Sequence, residues 1–160
     1  MNDTERYLFD LQGYLVLKGV VPAAILQACN AALDRFEHLS ETEYPPPLCL
    51  GQERSEQNLY VSNIIEGEDV FLDLMDIPTV LDAVETVTGG PYRLNHTCTI
   101  IFTEALTHGS MVNTSGRPRR TLYFCYSIGY MPDWGGQGLE FSDGFASRLS
   151  ESRQTLLRLK

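Results

Sequence analysis

Apolar residues fall at helical spacing in "AAILQACNAALDRFEHL", which sets Ile25, Leu26, Cys29, Leu33 and Phe36 on one face. Pro22 precedes this run, where a helix can begin without losing a useful N–H. A shorter helix is expected to run to Gln12, capped by Asp3 or Thr4, with Gly13 closing it. A second helical region is expected from Asp69 to about Val87. It is interrupted near Pro78 and stopped by Gly89, Gly90 and Pro91. At the far end, Ser150 is placed to cap a last helix in "LSESRQTLLRL".

Between these helical stretches the period shortens towards two. Residues 14–20, 59–65, 92–102 and 121–131 are β-branched, aromatic and alternating, so four strands are expected. In 92–102, alternation groups Leu94, His96, Cys98 and Ile100 on one face. Residues 40–57 are acidic and contain Pro45, Pro46 and Pro47, which fits an extended loop. A closed double-sheet jelly roll needs about eight strands. Four imply a small sheet with open edges, and open edges are where another chain, including a second copy, can add a strand.

With 160 residues, one domain spanning 1–160 is expected. No apolar run reaches the roughly 18 residues that span a bilayer, and the start lacks the basic and apolar pattern of a secretory signal. A cytoplasmic protein with no membrane partner is therefore expected. The formal net charge of −9 argues against a nucleic-acid partner, because binding phosphates requires a basic face. Cys29, Cys49, Cys98 and Cys125 show no metal-like spacing and read as reduced thiols.

Chemistry concentrates in "FTEALTHGSMVNTSGRPRR", residues 102–120. His108, followed by Gly109, reads either as a metal ligand or as a hydrogen-bonded turn histidine. Arg119 and Arg120 enter a strand, so alternation sends them to opposite faces. The inward guanidinium needs an anion, since a buried unpaired charge is very costly. That anion is either a ligand carboxylate or an acidic side chain in a structural salt bridge. Two rebuilt metal sets can be drawn, one from His96, Cys98 and His108 and one from Glu104 and His108 at i, i+4 spacing. The first needs a turn near Phe102, and the second needs a helix where the sequence reads as strand and loop.

These same residues carry a family resemblance. "FTEALTHG", the arginine pair and "LYF.YS.GYM" resemble the C-terminal half of the phytanoyl-CoA dioxygenase-like family of Fe(II)/2-oxoglutarate-dependent oxygenases. "FDLQGYLVLKGVV", the helix that follows it and "GPYRLNHT" are similar to that family's opening segments. The resemblance implies an α+β fold. It would be an incomplete double-stranded β-helix (jelly-roll) of few strands, with N-terminal and C-terminal helices. It makes His108 the distal iron ligand, and it makes Arg119, eleven positions on, the anchor for the far carboxylate of 2-oxoglutarate. It implies hydroxylation of a small-molecule substrate, coupled to oxidation of 2-oxoglutarate to succinate and carbon dioxide.

The family's other two iron ligands come as His-x-Asp or His-x-Glu. The three histidines here stand in His38-Leu39-Ser40, His96-Thr97-Cys98 and His108-Gly109-Ser110. Relative to the family, the chain reads as shortened near 98–102, with the strands and motif of the centre missing. The expected function is that of a dioxygenase-family member, an oxidoreductase by descent, impaired because two of three iron ligands are absent. The alternative is a non-catalytic binding or assembly module that uses its open sheet edges.

Overall fold

The computed structural model describes residues 1–50, 59–98, 101–102, 113–116, 119–130 and 141–159; residues 95–98 and 101–102 enter through backbone pairing alone. Helix α1 spans Asp3–Gln12 and is capped one residue earlier than expected. The Asn2 side chain accepts from the Glu5 N–H, and the Glu5 carboxylate accepts from the Asn2 N–H, a reciprocal capping box. Gly13 ends the helix at φ 79°, a left-handed conformation that costs glycine nothing. Helix α2, Ala23–His38, buries Cys29, Ala32 and Phe36. The expected stripe is rotated slightly: Ile25 and Leu33 flank the buried line, while Leu26 lies on the far flank from Ala32 and is 54% exposed.

The strands are shorter than alternation suggests, because a strand extends only as far as its partner. Strand β1 is Tyr14–Leu15, paired antiparallel with β5, Ile101–Phe102. Strand β2, Cys49–Leu50, pairs with β3, Val61–Ser62. Asn63 then takes a left-handed conformation (φ 59°), which asparagine tolerates, and turns the chain into the short helix α3, Ile64–Gly67. Ile64 and Ile65, expected in a strand, are buried from that helix instead. Next come a tight turn at Asp69–Phe71 and helix α4, Leu72–Met75. Helix α5, Pro78–Thr88, has proline in its first turn and a left-handed Gly89 at its end.

The expected strand 92–102 divides between two sheets. Strand β4, Tyr92–Cys98, pairs antiparallel with β6, Tyr123–Ile128, and β5 belongs with β1. A tight turn at Phe145–Arg148 and helix α6, Glu151–Leu156, complete the order, with Ser150 accepting from the Arg153 N–H. The fold is thus mixed helix with small antiparallel sheets, an α+β arrangement. Among the described residues, no helix is long and apolar enough to cross a membrane.

Phe71, Met75, Ile65 and Phe145 form the most deeply buried part of the main core. The Phe36 and Phe71 rings stack with centroids 6.2 Å apart. This core joins α2, the α3–α4 region, one face of β4–β6 and the C-terminal segment. Two polar ties hold the C-terminal segment against the helices. The half-buried Arg153 guanidinium donates to Asp76 (2.7 and 3.1 Å) and Asp73 (2.8 Å). The buried Glu66 carboxylate accepts from the Ser142 backbone N–H (3.1 Å) and hydroxyl. A smaller cluster of Phe9, Leu15 and Ala83 fixes α1 and β1 to α5.

Replacing Phe71 by alanine removes a fully buried ring between α2 and β4–β6. A loss of about 3–5 kcal/mol is expected from the transfer and cavity terms together. Urea unfolding followed by circular dichroism measures it, and a loss below about 1 kcal/mol would show that Phe71 is not central.

Candidate functional site: the arginine face of the β4–β6 pair

Residues 119–128 alternate in burial. Leu122 packs on the core, Phe124 is 4% exposed, and the Tyr126 hydroxyl donates to the Met75 carbonyl at 2.6 Å. Across the pair, Leu94 stands opposite Tyr126 and is 3% exposed. These even positions form the face that rests on the helices. The odd positions alternate to the other side: Arg119, Thr121 and Tyr123 are exposed, and Cys125 and Ser127 are half-buried.

Strand β4 contributes to this second face through a β-bulge. Leu94 pairs with Tyr126, but His96 pairs with Cys125, so Asn95 is an extra residue in the ladder. The bulge shifts the register. His96 stands opposite Cys125 and Cys98 opposite Tyr123, in the same register class as Arg93 opposite Ser127. The expected grouping of His96 and Cys98 with Leu94 is therefore corrected. Strict alternation holds only in an unbroken strand. Arg93 itself is 5% exposed, and its Nε donates to the Ser127 hydroxyl at 3.2 Å.

The two neighbouring arginines separate as alternation requires. Arg120 turns towards α2 and finds its anions there. Its Nε and Nη2 donate to the two Glu37 carboxylate oxygens, both at 3.0 Å, in a bidentate pair. Nη2 also reaches Asp34, and Nη1 donates to the Asn30 side chain at 3.1 Å. These partners hold the Arg120 pKa above its ordinary value, the Glu37 hydrogen bond contributing most and that of Asp34 next. Asn30, Asp34 and Glu37 follow one another at spacings of four and three, one side of a helix, which is the sequence signal for this network. Arg119, by contrast, is exposed and makes no hydrogen bond or ion pair among the described residues.

The charge on this face stands apart from the rest of the chain. Residues 92–98 and 119–130 contain Arg93, Arg119 and Arg120 but no aspartate or glutamate, within a protein of net charge −9. Since Arg120 is matched by α2, the local field at Arg119 favours an anion.

His108 and Glu104 lie outside the described residues, as do Ile100 and Trp134, so no distance relates His108 to Arg119. His38 is exposed at the end of α2. The donors of the chain do not compose the iron triad, because no histidine is followed two positions later by Asp or Glu. Among the described residues, no three His, Cys, Asp or Glu side chains come together as a metal site. Cys29, Cys49 and Cys125 are free thiols. Comparison with protein-family profiles, curated proteins and solved structures gave no match for this chain.

The seat of β6 on the helices predicts an alkaline limit. Burial first, then the Asp76 charge and Tyr92, push the Tyr126 phenol well above its usual range. Burial and Glu85 raise Tyr92 as well. The folded state therefore prefers neutral phenols, while the unfolded chain ionises from about pH 10. This contribution is complete below pH ~10 and is lost as pH rises beyond it. Urea midpoints measured from pH 8 to 11 should fall over the upper part of that range. Tyr126→Phe should flatten the fall, while costing about 1 kcal/mol near neutral pH through its lost hydrogen bond.

Proposed function

We propose that this chain derives from the Fe(II)/2-oxoglutarate-dependent oxygenases of the phytanoyl-CoA dioxygenase-like type. In this reading it retains the carboxylate-anchoring end of their site without the iron triad. The β4–β6 pair is then a remnant of a jelly-roll whose central strands are missing, and the protein acts in the cytoplasm. The observation that supports the reading is Arg119, an exposed guanidinium on an acid-free sheet face of an otherwise acidic chain. Arg119 is suited to receive the far carboxylate of 2-oxoglutarate through two parallel N–H···O bonds. Thr121 and Tyr123, exposed at the following odd positions, supply hydroxyls for further hydrogen bonds.

Iron chemistry is not carried further, because His108 is the one family ligand position the chain keeps and a single imidazole does not hold Fe(II) for turnover. The expected activity is anion binding without oxidation. Among the described residues, β4 and β6 each have one strand neighbour, which supports the second reading, an assembly module that pairs through open edges.

Calorimetric titration with 2-oxoglutarate separates these readings. Saturable binding is expected, weakened about tenfold or more by Arg119→Ala, since a charge-assisted hydrogen bond contributes about 1.5–3 kcal/mol. With Fe(II), 2-oxoglutarate and oxygen supplied, no succinate should accumulate. Robust succinate release abolished by His108→Ala would overturn the incomplete-site reading. Absence of 2-oxoglutarate binding, with a concentration-dependent dimer and protected β4 or β6 edge amides, would favour assembly instead.

A further inference from the structure

Arg119 and Arg120 are adjacent, yet only Arg120 is paired, and the acids it pairs with lie within reach of both. Consecutive Cα atoms are about 3.8 Å apart. Residues 119–122 precede β6 and lie outside its ladder, so no strand hydrogen bond holds Arg119 away from α2. The Asp34 side chain is 62% exposed and that of Glu37 37%, so both remain accessible to a second guanidinium. Arg120 uses Nε and both terminal nitrogens on Glu37, Asp34 and Asn30, covering the polar groups that this side of α2 presents.

We infer that Arg120 is a positioning residue that keeps Asp34 and Glu37 engaged on α2, so that the Arg119 guanidinium remains available to an external anion. The inference rests on Arg119 as the anion anchor, and it assigns the second arginine a task distinct from ligand contact. Without Arg120, two uncompensated carboxylates face a mobile, like-placed guanidinium one residue away, and Arg119 turns to them as an internal salt bridge. The ligand site is then lost by self-neutralisation, although every atom that would touch the ligand is still present.

The test uses the full chain with labelled arginine and follows the Arg119 Nε–H resonance, assigned through Arg119→Lys. In Arg120→Ala this resonance should shift and its proton should exchange more slowly. In Arg120→Ala combined with Asp34→Asn and Glu37→Gln it should return to the wild-type position. Arg120→Gln, which keeps hydrogen-bonding groups without the charge, should reproduce the alanine result and serves if the alanine variant fails to fold. Titrated with 2-oxoglutarate, Arg120→Ala should bind about fivefold more weakly and the triple variant should recover to within about twofold, the scale of exposed ion pairs. A purely structural Arg120 would instead weaken both variants alike. Equal weakening, or an Arg119 resonance unmoved by loss of Arg120, overturns the inference. If the wild-type chain does not bind 2-oxoglutarate, the functional reading falls, and the Arg119 resonance still decides this one.

Discussion

A pair of antiparallel strands is marginal by itself in water, and β4–β6 is held by what its apolar face rests on. Leu94 and Phe124 enter the core, and the Tyr126 hydroxyl is tied to the Met75 carbonyl at the end of α4. Met75 and Phe71 in turn lie beneath α2 through the Phe36 ring. The helical layer thus does for this sheet what a second sheet does in a sandwich. Because the even face is committed to that support, the odd face is left for polar groups. Arg93, Arg119, Thr121, Tyr123 and Ser127 occupy it.

Features decided by a few neighbouring residues were legible in the sequence. The left-handed glycines at 13 and 89, the proline-led starts of α2 and α5, and the Ser150 cap depend on local backbone geometry. Even there, Asn2 displaced Asp3 and Thr4 as the cap, because its partner Glu5 completes a reciprocal pair. Strand lengths were not legible. The residues following Leu15 have strand character, but the pairing segment offers Ile101 and Phe102 and no more. The sheet assignment of 92–102 was hidden for the same reason, since hydrogen-bond partners distant in sequence decide it.

The candidate site divides in the same way. Opposite directions for Arg119 and Arg120 followed from strand alternation, and the structural salt bridge weighed for the inward guanidinium is the one Arg120 makes. Which acids receive it could have been read from the Asn30, Asp34 and Glu37 spacing, once α2 was recognised as a helix. Arg93 was less accessible, since a buried arginine inside an apolar strand gives no local warning. Its role emerges only when Ser127 is seen opposite it. The histidine and arginine of "THGSMVNTSGRPRR" are linked by resemblance to one chemistry, and Arg119 is the member of that pair whose surroundings are described.

The extra residue at Asn95 works as a change of phase in the strand. Before it, even positions of β4 read as interior; after it, the parity is reversed, and His96 and Cys98 count with Arg93. Any comparison that slides β4 against a related strand without this step would align interior with exterior from Asn95 onward. A one-residue deletion there is therefore not a small shortening: it would exchange the two sides of the remaining strand and set the arginine side against residues chosen to be dry.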